Sequence, residues 1–532
     1  MATDTPPSTP PSPETVSVVI DGKEHKFPKG TNLLEACQSV GAKIPFFCYH
    51  PGLSAPAICR QCLVEVKGAP KPVPSCYTPV ADKMVVTTDS PKVLDVRRQM
   101  LEFTLLNHPI DCPICDKAGE CSLQRHYFDW DAKLARNEGD KVRKGKVIDV
   151  GKHIVLDQER CILCSRCIRV CDEVAKAPEL TMAYRGSHQI LTTAPGHRLD
   201  NPYSLNTVDV CPVGALTAKD FRFARRAWEL SATPSVCPGC ATGCNIEVHT
   251  SRGSIRRLVP RPNPEVNKYW MCDQGRFEYK PVHENRLLLP LVAGKRALLN
   301  HAVDEAARLL RGALDRAPGS VGVVFSAGAT NEDVHALARL ALEGLKIGRV
   351  YVGGRPQGWS DTILVSADKN PNSAGVDRIV KGILTAPPRT LKDLTADVTS
   401  GAVTTLLVLG NETLSFGTGK LSGLVVLSSH KGAAVYAAQV ALPVATWAEV
   451  DGTFTNKDGR VQRLHPAIPV TGEVVPAWRA LALLGGQLGV DLAYASAREI
   501  FQEASARHPF LKDFVWGSPI PPVQLRFGDS RG

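Results

Sequence analysis

The sequence of 532 residues has 17 cysteines and none after Cys272. It has no apolar run near the ~20 residues that a membrane-spanning helix needs. "LLNHAVDEAARLL" and "AAVYAAQVALPVATW" are too short or are interrupted by polar residues. The N-terminus, "MATDTPPSTPPSPET", lacks the basic start and the apolar stretch of a secretory signal, and reads as a disordered tail over residues 1–14. No P-loop and no GxSxG elbow occurs. These absences point to a cytoplasmic chain with no direct bilayer insertion and no acid, base or nucleophile in the usual sense. Disulfides are improbable in a large cytosolic chain, so cysteines crowded between Cys37 and Cys272 point to metal. The length is too great for one hydrophobic core and implies three to five domains.

Residues 15–89 open with "TVSVVIDGKEHKF", whose alternation about Asp21-Gly22 predicts a hairpin. Thr31 is placed to cap a short helix with Leu33, Leu34, Cys37 and Val40 inward and Gly41 at its end. Cys48, Cys59, Cys62 and Cys76 then follow as C-x10-C-x2-C-x13-C. Two hairpins, one helix and four cysteines in long loops look like a β-grasp [2Fe–2S] ferredoxin. A zinc ribbon would have two close Cys pairs, and only one is present. Cys37 lies on the apolar helix face and reads as a small core residue, not a ligand.

Residues 90–135 begin with a Ser90 cap and an N1 proline, Pro91, on a helix running through Val93, Val96, Met100 and Phe103 until Pro109. His108, Cys112, Cys115 and Cys121 follow as H-x3-C-x2-C-x5-C. Three thiols are one short of a tetrahedral set, and His108 stands where it could be the fourth. Spacing alone leaves a bystander role open.

Residues 145–230 hold "CILCSRCIRVC", with Cys161, Cys164, Cys167 and Cys171 at C-x2-C-x2-C-x3-C. That is the run of two-cluster ferredoxins, in which the fourth Cys serves the other cluster. Downstream "CPVGAL" closes a second run at Cys211, but its other three ligand positions hold Asn201, Ser204 and Thr207. The second cluster is therefore read as lost. In the crossed arrangement Cys211 completes the set of Cys161, Cys164 and Cys167, and Cys171 is an orphan, not a ligand. The competing set uses Cys171 in place of Cys211.

Residues 231–288 give Cys237, Cys240, Cys244 and Cys272 at C-x2-C-x3-C-x27-C around a small β unit, "NIEVHTSRGSIRRLVPR". Zinc is the alternative to a [4Fe–4S] site there. Residues 289–532 alternate short apolar strands ("SVGVVFSAG", "GRVYVGG", "TTLLVLGN", "LSGLVVLSS") with helical stretches ("NHAVDEAARLLRGAL", "NEDVHALARLALEGL"), the pattern of an α/β domain with a parallel sheet. "GTGKLSG" at 417–423 reads as a loop. The fold class is thus multidomain, α+β and α/β. Arg60, Arg166 and Arg169 sit beside candidate ligands and could raise cluster potentials, with surface or interface charge as the other reading.

The formal charge of +10 suggests nucleic acid only until ligation is counted. Fifteen thiolates and four oxidised cluster cores of about +2 each bring it to about +3. "KVRKGK" reads as a solvated linker or partner contact, and no nucleic-acid partner is expected.

This order of modules resembles the large iron–sulfur subunit of bacterial NADH:quinone oxidoreductase, respiratory complex I, over roughly residues 15–480. The resemblance implies His ligation at His108 and closure by Cys211. Cys171 departs from it. It implies one [2Fe–2S] and three [4Fe–4S] clusters, the Cys237–Cys272 cluster lying off the main electron path. The C-terminal part looks like a shortened molybdopterin-oxidoreductase domain, for which no molybdopterin is expected. The implied role is electron relay from a flavin- and NADH-binding partner toward quinone-side iron–sulfur subunits, with peripheral attachment to the inner membrane through the complex. The rival readings are the relay subunit of an NAD-linked formate dehydrogenase or hydrogenase, and a zinc scaffold with no redox role.

Overall fold

A computed structural model describes residues 14–130, 136, 139–384, 386–410, 420–518 and 520–526. The expected tail, except for Glu14, and the first three residues of the 417–423 segment lie outside the described residues. The chain divides into two units, residues 1–228 with 526–532, and residues 229–525.

In the first unit, Asp21 and Gly22 take positive φ and join β1 (Thr15–Ile20) to β2 (Lys23–Pro28) in the expected register. With β3 (Leu63–Val66), β4 (Val73–Pro74) and β5 (Met84–Thr87) they form one five-stranded sheet of order β2-β1-β5-β3-β4. Helix α1 (Leu33–Ser39) packs Leu33, Leu34, Ala36 and Cys37 against Val16, Val18, Ile20 and Val86. The cap is Asn32, not Thr31: the Asn32 carbonyl oxygen accepts from the Leu34 and Glu35 amides, while Thr31 turns its hydroxyl to the Pro28 carbonyl. Val40 lies past the helix and is exposed. The Asn32 side-chain amide donates to the Cys76 carbonyl at 2.7 Å, so one side chain both starts the helix and holds the Cys76 loop.

Helix α2 (Pro91–Leu105) starts at Ser90, whose hydroxyl accepts from the Val93 amide at 3.2 Å. Its buried face is Val93, Arg97 and Leu101, one residue every four. Phe103, expected inward, is 66% exposed. The shift follows from Arg97, whose guanidinium is drawn inward to the Leu63 carbonyl by two hydrogen bonds of 3.1 and 2.7 Å. Helix α3 (Ser122–Trp130) follows Cys121, and the small helix α4 (Arg166–Arg169) carries Cys167. Of the basic loop, Lys141 donates to the Leu105 and Leu106 carbonyls and Lys146 pairs with Asp111, Asp157 and Glu159, so two of its charges are held internally.

In the second unit, Ser231–Val236, Asn245–Ser251 and Ser254–Pro260 form an antiparallel sheet, to whose edge Val523–Gln524 adds a fourth strand. The α/β part is built on a seven-stranded sheet. Arg349–Gly353, Val321–Ser326, Thr405–Leu409, Gly423–Ser428 and Val440–Pro443 run parallel, and Leu291–Val292 and Lys295–Arg296 complete the edge. The three central strands are buried along their whole length, as a sheet covered on both faces requires. Val323, Phe325, Leu407, Leu409, Val425 and Leu427 face one core, and Val324, Leu406, Val408, Leu424 and Val426 face the other. Helix Leu299–Arg316 lies over the first of these with the helices at Asn331–Ala338 and Ala477–Leu488. No helix among the described residues is long and apolar enough to cross a membrane.

Glu332 lies fully inside this part, its carboxylate accepting from the Thr453 amide and hydroxyl at 2.7 Å each. Burial lifts its carboxyl from 4.5 to about 8. The folded state therefore keeps a proton that the unfolded chain releases above 4.5. This contribution is full below pH 4.5 and is lost as pH rises toward 8. Urea unfolding of Glu332→Gln across pH 5 to 8 should show a shallower loss of stability than the parent chain. Asn32→Ala should cost the β-grasp part about 1–2 kcal/mol in the same assay, from the lost cap and the Cys76 carbonyl left without its donor.

Candidate metal centres

The four sets of candidate ligands share a backbone device. A residue in the left-handed region stands between ligands in each: Ala57 (φ 54°) and Arg60 (54°) in the first, Gly119 (90°) in the second, Leu163 (55°) and Ser165 (60°) in the third, Gly243 (66°) in the fourth. Side-chain-bearing residues enter this region only at a cost of order 1–3 kcal/mol. Turning a peptide into it points successive N–H groups inward, the arrangement that receives anions.

In the first set, Cys48, Cys62 and Cys76 are buried and Cys59 is half-buried. Cys48 hydrogen-bonds the thiols of Cys59 and Cys76, and Cys62 that of Cys76. These donors pull Cys48 down to about 2, helped by the amides of Cys59 and Ile58, and pull Cys62 to about 7. Cys59 and Cys76, which give the protons, are pushed up. The Phe47 amide also reaches the Cys59 sulfur at 3.4 Å.

In the second set, His108, Cys112, Cys115 and Cys121 line one cavity of about 610 Å³ with Ala118, Leu123 and Phe128. Nδ1 of His108 is buried with no hydrogen-bond partner. Burial holds this imidazole neutral down to about pH 4, the form that binds metal. Burial pushes Cys115 up and Cys121 to about 12. Gly214, from the "CPVGAL" stretch, forms part of the wall: a Cβ there would stand 2.3 Å from the Cys115 sulfur.

In the third set, Cys161, Cys164, Cys167 and Cys211 line a cavity walled by Met182, Leu191, Pro212, Val213 and Leu216. Burial raises Cys161 to about 12, Cys164 to about 11, and Cys167 strongly. Cys171 does not line this cavity. It is fully buried one turn along, where the Asn201 side chain hydrogen-bonds its sulfur. Asn201 is one of the residues that occupies a ligand position of the second ferredoxin run, and Ser204 and Thr207 are buried after it.

In the fourth set, Cys237, Cys240, Cys244 and Cys272 line a cavity with Gly275, Leu364, Val365 and Lys369. Burial raises Cys237 and Cys244 strongly and Cys272 to about 11. Cys272 caps a helical turn, its sulfur accepting from the Gly275 amide at 3.3 Å. A Cβ on Gly275 would stand 3.1 Å from the Cys237 sulfur.

Among the described residues, no three His, Cys, Asp or Glu side chains are arranged to hold a single metal ion. The thiols of the second, third and fourth sets ring cavities instead of meeting at a point, and the first set chains its sulfurs in pairs. Thiols held back from ionising by burial in the second, third and fourth sets, an unpartnered buried imidazole nitrogen and amides aimed at sulfur fit a polynuclear iron–sulfide cage. Spacing did not reveal Gly214 or Lys369, because each reaches its site from another part of the chain, whereas Gly275 stands three residues after Cys272. Of the three arginines, Arg60 is exposed, and Arg166 and Arg169 are buried.

Family models match the chain in sequence along its length. They are a 2Fe-2S iron-sulfur cluster binding domain at residues 13–91, the NADH-ubiquinone oxidoreductase-G iron-sulfur binding region at 97–132, and the NADH-quinone oxidoreductase subunit 3 ferredoxin-like domain at 151–217. A molybdopterin oxidoreductase Fe4S4 domain follows at 230–284 and a molybdopterin oxidoreductase domain at 305–486. The chain is therefore an iron–sulfur protein with 2Fe–2S and 4Fe–4S cluster-binding domains. It is a homologue of the G subunit of NADH-quinone oxidoreductase. The Streptomyces coelicolor G subunit is 38% identical over 62% of this chain and 40% of its own length. That of Mycobacterium tuberculosis is 37% identical over 67% and 45%. The mitochondrial NADH dehydrogenase [ubiquinone] iron-sulfur protein 1 of Solanum tuberosum is 41% identical over 53% and 38%. The chain spans about two fifths of the length of the curated relatives it matches.

Gly214→Ala should push the Cys115 sulfur out of its cavity. Iron analysis and EPR should show loss of metal from the His108 set with the other sets retained; full metal content at that set would contradict the role given to Gly214.

Proposed function

We propose that this chain is an electron-relay subunit of an NADH:quinone oxidoreductase, conducting from a flavin- and NADH-binding partner toward quinone-side iron–sulfur subunits at the membrane. One observation carries the reading. Sixteen candidate ligands fall into four sets, each gathered at its own site, in the order of the cluster-binding families along the chain. Cys48, Cys59, Cys62 and Cys76 would hold one [2Fe–2S] cluster. His108 with Cys112, Cys115 and Cys121, Cys161 with Cys164, Cys167 and Cys211, and Cys237 with Cys240, Cys244 and Cys272 would hold three [4Fe–4S] clusters. Cys37, inside the β-grasp core, and Cys171, beside Asn201, are outside these sets.

Such clusters supply one-electron centres whose charge changes with little movement of atoms. The chain's own groups hold the cages, keep water out and donate N–H groups to sulfur, which sets the potentials. A neutral imidazole at His108 makes its cage less negative than a four-thiolate one, and so easier to reduce. The α/β part braces the fourth set, since the Ala241 amide donates to the Asp368 carbonyl and the Ala241 carbonyl accepts from the Lys457 amide at 2.7 Å.

Two measurements test the proposal. With its flavoprotein partner, the anaerobically purified chain should lose its visible cluster absorption on addition of NADH. Bleaching by dithionite but not by NADH would contradict the relay. His108→Cys should alter one [4Fe–4S] EPR signal and move its midpoint to more negative potential, with the other signals unchanged. An identical spectrum would contradict ligation by His108.

A further inference from the structure

Helix α4 places two guanidinium groups inside the first unit, between the Cys48 set and the Cys161 set. Arg166 is 1% exposed and Arg169 8%. Arg166 donates to the carbonyl of Val210, the residue before Cys211, at 3.1 Å, and to that of Tyr49, the residue after Cys48. One nitrogen of Arg169 donates to the carbonyl of Cys48 at 2.5 Å and reaches that of Cys164 at 3.4 Å, and its other terminal nitrogen donates to the Ser54 carbonyl. Each arginine thus binds backbone next to candidate ligands of both sets. Nε of Arg166 is buried with no partner. Neither guanidinium makes an ion pair with a carboxylate among the described residues.

Two like charges held together out of water, without a carboxylate, are costly in a folded protein. The carbonyls that receive them offset only part of that cost. Cys164, Cys59 and Cys48 all act electrostatically on Arg166, the Phe46 ring lies 5.7 Å from its guanidinium, and the buried His50 imidazole, held neutral, faces both arginines. Building on the cluster assignment above, we infer that Arg166 and Arg169 are a shared counter-charge for the [2Fe–2S] and the Cys161-set [4Fe–4S] clusters, raising the potentials of both. Each cluster gains one electron and one unit of negative charge on reduction, so a fixed positive charge between them favours the reduced form of either. It also offsets the repulsion that an electron on one cluster would exert on an electron arriving at the other. The Arg169 nitrogen shared by the Cys48 and Cys164 carbonyls joins the two ligand loops by hydrogen bonds. These are positioning residues, and their effect is read in potentials.

The test is an EPR-monitored redox titration of the full chain, purified anaerobically, with Arg169→Gln, Arg169→Lys and Arg166→Gln. Each Gln variant should move the midpoints of the [2Fe–2S] and the Cys161-set signals together to more negative values. The His108-set and Cys237-set signals should stay in place. Arg169→Lys, which keeps the charge without the fork, should bring both midpoints back toward the parent values. Loss of both clusters in a Gln variant, with the other two sites loaded and Lys restoring both, is the stronger form of the same result. Unchanged midpoints, a change confined to one cluster, or no recovery with Lys would overturn the inference. A parent chain without iron and sulfide would instead overturn the cluster assignment itself.

Discussion

A sulfur out of water does not ionise readily. Burial pushes up candidate ligand thiols in the second, third and fourth sets, so these sites need a cation to become thiolate, and the rest of the structure depends on that requirement. The chain answers it in two ways. Beside the left-handed Leu163 and Ser165, the Leu163 and Arg166 amides reach the Cys161 and Cys164 sulfurs, and arginines are brought in beside the loops. Both devices favour negative charge in the interior, which a thiolate cage with an iron–sulfide core needs. The first set differs because its thiols hydrogen-bond one another, which lowers Cys48 and raises Cys59 and Cys76.

Most candidate ligands of a proposed set are close in sequence, but the closing one comes from elsewhere. Cys76 arrives after two short strands, Cys211 after a hairpin and a short helix, and Cys272 after two strands. His108 arrives at the end of α2 and is enclosed by a wall to which Gly214 contributes. With the proposed ligand sets a cage would close only when its domain has folded, which would link cluster binding to folding. The same contacts serve both ends: Asn32 caps a helix and holds the Cys76 carbonyl, and Arg97 turns α2 to bind the carbonyl beside Cys62.

Much of this was legible in the residues. Cysteine spacing separated the four sets, and Asn201, Ser204 and Thr207 showed why Cys171 has no counterpart; the fold then brings Asn201 to its sulfur. Alternating apolar strands and helices announced the parallel sheet, whose strands divide their side chains between two cores by parity. What could not be read depended on partners distant in sequence. Thr31 and Asn32 are both good caps, and the Cys76 carbonyl favours Asn32. The face of α2 was misjudged because an arginine with a buried carbonyl to reach outweighs Phe103. Neither the Val523–Gln524 edge strand nor Lys369 beside the fourth set has a local signal. Charges beside candidate ligands were visible, but which of Arg60, Arg166 and Arg169 would be buried was decided by α4 meeting the loop at Cys48, Tyr49 and Ser54.

The most direct test of the central claim is iron and acid-labile sulfide per chain in protein purified without oxygen. The account predicts about 14 iron and about 14 sulfide, from one binuclear and three tetranuclear cages. A colourless chain carrying stoichiometric zinc and no sulfide would contradict it.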